Sequence, residues 1–181
     1  MEQVNVLFFI LSTFFGLGNP SVLADKTTVT INPQAQRMEI TQEDLFTFSR
    51  SAEEAALVLK QWEKIVNWED NETPWSTELA AFPGKKLTLL SGEGGIRTRI
   101  TISYTNPEDL EVFGIWYDAG KDRYSTNQVP QLNIKTETGE LAGNYWRFNG
   151  EGAFSFVVEP FLQLPEKILK TKISVAELLA E

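Results

Sequence analysis

Apolar side chains recur at helical spacing between residues 51 and 68 and alternate with polar ones from residue 95 onward, which predicts one helix followed by strands. In the first segment Ala55, Val58, Leu59, Trp62, Ile65 and Val66 share a face, and Glu53, Lys60, Glu63, Lys64 and Asn67 share the other. Ser51 and Glu54 have the spacing of a capping box, so the helix should start at Ser51. A single apolar stripe needs a cover, and a sheet against Trp62 supplies one. The mixed signs on the polar face argue against a helix lying on a membrane, which would be basic there.

The clearest strand is Gly95 to Tyr104. Ile96, Thr98, Ile100, Ile102 and Tyr104 fall on one face and Arg97, Arg99, Thr101 and Ser103 on the other, the pattern of a half-buried strand. The run 110–117 is apolar on both faces and reads as a central strand following the turn Thr105-Asn106-Pro107-Glu108-Asp109. Further strands are expected at 28–31, 37–40, 44–48, 86–90, 131–136, 144–148, 153–158 and 171–175. Turns are expected at Ser91 to Gly95, at Asp118 to Asp122, at Thr138-Gly139 and at Asn149-Gly150, the last a favoured hairpin pair. Ser174 and Glu177 also have capping spacing, so strand and short helix compete there. Pro160 and Pro165 fence an apolar segment that cannot sit mid-sheet; it should bury Phe161 and Leu164, the alternative being an exposed apolar patch that a partner covers.

Short strands separated by Gly- and Asn-containing turns predict a mainly β (or α+β) chain. The architecture expected is an antiparallel β-sandwich or partly open barrel with the helix 51–68 packed on it. No internal repeat or linker interrupts residues 25–181, which read as a single domain.

The N-terminus changes the picture of where the chain works. Val6 to Leu17 form an apolar run too short to span a bilayer comfortably, followed by Gly18, Asn19 and Pro20 and then Val22-Leu23-Ala24. This is the layout of a signal peptide over residues 1–24, cleaved after Ala24, although Glu2 gives its first residues the wrong sign. The expected address is secreted or extracytoplasmic, a periplasm or a lumen-like compartment, with no integral membrane span after cleavage.

Composition then removes whole classes of chemistry. The 181 residues contain no His and no Cys, which excludes Ser-His-Asp and Cys-His nucleophiles, iron–sulfur clusters and the usual zinc or copper ligand sets. Twenty-five acidic against 16 basic residues give a net charge of −9, so a nucleic-acid partner is disfavoured. No motif implies a cofactor. The Gly-rich 91–95 segment lacks the Gly-Lys-Ser/Thr ending and the following helix of a phosphate loop.

Three constellations remain. Asp118 and Asp122, with Glu108, Asp109 and Asn106, offer oxygen ligands for calcium, but their spacing is not that of an EF-hand, and a charged turn is the simpler reading. Glu93, Asp118, Asp122 and Glu151 lie on expected loops and supply carboxylates for a glycosidase-like pair, as any chain this acidic would. The most suggestive group is aromatic: Trp116, Tyr117, Tyr124, Tyr145 and Trp146, clustered with Phe148 near Asn127, Gln128, Asn144 and Asn149, although packing against helix 51–68 or a second sheet is the simpler reading. Neighbours on a strand point to opposite faces, so Trp116 and Tyr117, like Tyr145 and Trp146, cannot both be core unless both faces are covered. One member of each pair is therefore a candidate to stack a ligand, while Phe154, Phe156 and Val158 should be core.

The sequence thus reads as an exported, non-enzymatic binding domain whose partner is a carbohydrate, a small apolar ligand or a protein. The alternatives are a small carboxylate-pair hydrolase and a structural subunit that adds a strand to, or accepts one from, a neighbour.

Overall fold

A computed structural model describes residues 22–67, 77–92 and 95–180, and alternation of β-branched and polar residues puts 45% of them in strands. The apolar run 6–17, Trp68 and Glu93 lie outside the described residues. The strands are β1 (Leu23–Asn32), β2 (Arg37–Phe48), β3 (Gly84–Gly92), β4 (Gly95–Ser103), β5 (Ile115–Asp118), β6 (Arg123–Asn127), β7 (Gly139–Ala142), β8 (Tyr145–Asn149), β9 (Phe154–Val158) and β10 (Lys172–Ser174). Helix α1 spans Ala52–Val66, and two single-turn helices, α2 (Glu166–Leu169) and α3 (Val175–Leu178), lie near the C-terminus. The result is mainly β, sandwich-like and antiparallel, with a helix packed on it. Among the described residues no helix is long and apolar enough to cross a membrane.

One sheet has the order β3-β4-β2-β1-β9, with β10 also pairing β2. Its inner face carries Val29, Ile31, Met38, Ile40, Leu87, Ile100, Ile102, Phe154 and Phe156, all buried. The parity expected for 96–104 holds, and Thr98 donates to Gln42 at 3.3 Å inside this face, so neither polar side chain is buried unpaired. The outer face is a lattice of charges. Glu43 takes Lys26 at 2.7 Å and Arg97 at 3.5 Å, and Glu39 takes Arg37 at 3.2 Å and Arg99 at 3.4 Å.

Strand β2 runs continuously where two strands, 37–40 and 44–48, are predicted. Asp44, at φ 53°, adopts the left-handed conformation that Asp tolerates better than most residues. Beyond it the buried positions change from 38, 40 and 42 to 45, 46 and 47, and β10 replaces β4 as the neighbour of β2.

Helix α1 forms as expected, with Ser51 Oγ accepting from the Glu54 amide, while the Glu54 carboxylate accepts from the Arg50 amide. Val58, Trp62 and Ile65 join the core; Val66, at its C-terminal end, is exposed.

Three local expectations fail. The run Pro107–Phe113 is a 3-10 helix, entered by the Asn106/Asp109 capping box and ended by Gly114 in the left-handed region, so only 115–118 is strand. Pro130–Leu132 is likewise a 3-10 turn, leaving Lys135 as an isolated bridge to Val157. Asn149-Gly150 is not a hairpin, because β8 and β9 belong to different sheets. At Ser174 both readings are realised in sequence: β10 ends there and the same side chain caps α3.

Ala24 is also not at a loose end. Val22 and Ala24 are buried, and Leu23 and Ala24 pair with Phe46 and Leu45, so the cleavage point expected after Ala24 falls inside β1.

Candidate functional site

The four-stranded sheet, ordered β5-β6-β8-β7, has two faces of different chemistry. Its inner face presents Ile115, Tyr124, Thr126 and Phe148, all buried, to the core. Register and alternation put the opposite set on its outer face. Trp116, Ser125, Arg147 and Glu140 form one row across the four strands. Asn127, Tyr145 and Ala142 form the next row, and Asp118, Arg123 and Asn149 the row on the other side. None of these outer residues is buried, and Tyr145 is 44% exposed. At usual strand spacings the face is about 14 Å across and about 13 Å along the strands.

This parity divides the five aromatic candidates. Trp116 and Tyr145 lie on the outer face. Tyr124 is fully buried, its ring 5.1 Å from that of Phe154, and is core rather than ligand-facing. Trp146 packs half-buried against the core, as does Tyr117, whose ring lies 4.7 Å from that of Tyr124. The physical reason is that Phe148, two residues after Trp146, must face Phe154 and Phe156, which commits Trp146 to the same side. Arg147, Ser125 and Arg123 were not singled out by the sequence pattern. Their signal is the same alternation, applied to polar residues flanking the aromatics.

Beside the outer face, at the Asn149 end, is a cleft of about 500 Å³ that includes Lys121, Arg123, Glu140, Arg147 and Asn149 in its lining. Asp122, in its lining, and Asp118, in the adjoining turn, are engaged locally. Tyr117 donates its hydroxyl to Asp122 at 2.8 Å, and that bond, lost on ionisation, pushes the phenol up to about 12. Lys121 lies 3.3 Å from Asp118, and with the Gly120 amide holds this carboxyl below the usual range. Gly150 is required here because a Cβ would stand 2.8 Å from the Asp122 backbone carbonyl oxygen.

The calcium constellation does not converge. Asp109 accepts from the amides of Thr105 at 3.0 Å and Asn106 at 2.8 Å, serving as a cap, while Asp118 and Asp122 hold their own turn. Among the described residues no group of three or more acids gathers around a point that could hold a metal ion.

A second cleft, of about 460 Å³, opens where β2 passes from β4 to β10, lined in part by Asp25, Asp44, Phe46, Lys172 and Glu177. Three of its charges, Asp25, Lys172 and Glu177, already serve the fold. Lys172 pairs with Asp25 and sits 4.3 Å over the Phe46 ring, and Glu177 accepts from the Ser174 amide and hydroxyl. The outer face of the small sheet, where Trp116 and Tyr145 stack on no ring among the described residues and lie among polar groups, is the stronger candidate surface. Comparison with protein-family models, characterised proteins and solved structures gives no match to this chain.

Proposed function

We propose that this chain is an exported, non-enzymatic binding domain that takes a carbohydrate on the outer face of its four-stranded sheet. The observation that carries the reading is the placement of Trp116 and Tyr145 on one open face with Ser125, Asn127, Arg147 and Asn149 between and beside them. A sugar ring has apolar C–H faces that stack on indole or phenol and a hydroxyl rim that needs amides, hydroxyls and guanidinium groups. Both kinds of partner are present in one surface. A small apolar ligand would leave the polar groups of the face unpaired, which is costly.

A hydrolase needs one carboxyl held protonated near neutral pH as a general acid. Asp118, held below the usual carboxylate range by Lys121 and the Gly120 amide, does not supply that acid.

The experiment is a glycan array with the purified chain, followed by calorimetry on any hit with Trp116→Ala and Tyr145→Ala. The reading expects at least a tenfold loss of affinity in each variant with little change in melting temperature. Unchanged affinity in both variants would reject this face as the site.

A further inference from the structure

Arg147 is the one cation of this face left without an anionic partner among the described residues. Its cross-strand neighbour is Glu140, yet the Glu140 carboxylate lies 4.0 Å from Arg123 Nη1. Lys121 is taken by Asp118, and Asp122 by the Tyr117 hydroxyl. Arg147 is half-buried in the row of Trp116 and Ser125 and also lines the adjoining cleft. A guanidinium is a planar fork that binds a carboxylate through two parallel N–H bonds, and partial removal from water strengthens that pair.

Resting on the carbohydrate reading, we propose that the ligand is an acidic saccharide, with a uronate carboxylate held by Arg147 while a sugar ring of the same chain stacks on Trp116. Ser125, between them on the central strand, is placed to meet a ring hydroxyl. The chain's net charge of −9 does not forbid this. At physiological ionic strength the screening length is about 8 Å, so acids on distant surfaces contribute little beside a contacting guanidinium.

The test uses oligomers of galacturonic, glucuronic, mannuronic and guluronic acid, each as free acid and as methyl ester, titrated by calorimetry. Esterification removes the charge and leaves the rings. At least one free acid should bind about ten- to hundredfold more tightly than its ester. Arg147→Gln should abolish that preference by weakening binding of the free acid far more than that of the ester, and Arg147→Lys should keep only part of it. Should Arg147→Gln lower the melting temperature, the Lys variant and the acid-to-ester ratio of the wild-type chain carry the test. Equal binding of acid, ester and neutral oligosaccharides overturns the acidic ligand and leaves the carbohydrate reading standing. Binding of no saccharide, acidic or neutral, overturns both.

Discussion

Phe148 and Phe154 stack with ring centroids 4.6 Å apart and planes 17° from parallel, and through this contact the four-stranded sheet meets the edge strand of the larger one. Tyr124 and Phe156 extend the same aromatic layer. Because these rings fix which side of the small sheet is core, they also fix which side carries Trp116 and Tyr145. Phe148→Ala or Phe154→Ala should therefore cost about 3–5 kcal/mol of stability, read from urea unfolding. A loss under about 1 kcal/mol in both would contradict the assignment of the inner face.

Gly139 lies opposite Phe148, and a Cβ there would stand 2.5 Å from the ring. Its backbone does not require glycine; the space does. Gly139→Ala should force the ring to move and destabilise the fold by about 1–3 kcal/mol, whereas Gly152→Ala, where a Cβ meets nothing within 4 Å, should be close to neutral. Thermal unfolding of the two variants distinguishes crowding from a general intolerance of side chains.

How much of this was legible in the sequence depended on how local the deciding contact is. For 96–104 the alternation suffices, because a strand with one covered face states its own parity. For Tyr145 and Trp146 alternation shows that they oppose each other, but the choice between them is made by Phe148 meeting Phe154 across two sheets. The run 110–117 is apolar enough for a buried strand, and of the signals against it Pro107 lies before the run while Gly114, which ends the 3-10 helix, lies within it. Asn149-Gly150 has favourable turn chemistry, yet such chemistry does not say which strand comes back beside which. Arg147 passed unremarked because a charged residue in a strand is ordinary until its neighbours are seen to be paired elsewhere.

Glu43 gives a pH dependence with a definite sign. Its hydrogen bond to Lys26 holds the carboxyl below its usual 4.5 and raises the ammonium above its usual 10.5. The carboxyl therefore adds stability above its unfolded value and loses it as pH falls through the folded one. The ammonium adds stability below its unfolded value and loses it as pH rises through the folded one. The pair should contribute fully between roughly pH 5 and pH 10, by about 1 kcal/mol or less because it is solvent-accessible. Glu43→Gln should be less stable than wild type at pH 7, with the gap closing toward pH 2. A gap that persists in acid would locate the effect in packing rather than charge.

The N-terminal rungs of β1 predict where the stable domain begins. A chain starting at Asp25 loses buried Val22 and Ala24 and the pairing of Leu23 with Phe46. It should be less stable than one starting at Val22 by about 2–4 kcal/mol, since burial of one aliphatic side chain is worth about 1.5–3 kcal/mol. Equal urea midpoints would show that β1 does not need those residues.

Titration of the tyrosines by ultraviolet absorbance should find Tyr117 ionising near 12, the value to which its bond with Asp122 raises it. Asp122→Asn should bring that step down toward 10, assigned by comparison with Tyr117→Phe. An unmoved step would mean that the bond does not form in solution.

The claim on which the account rests is that the outer face of the four-stranded sheet holds the ligand. Two-dimensional amide NMR of the isotopically labelled chain, titrated with a binding oligosaccharide, tests it residue by residue. The account predicts shifts centred on Trp116, Ser125, Asn127, Tyr145 and Arg147, and a perturbed Trp116 indole N–H. Shifts centred instead on the cleft of Asp25, Asp44 and Lys172, with this face silent, would contradict it.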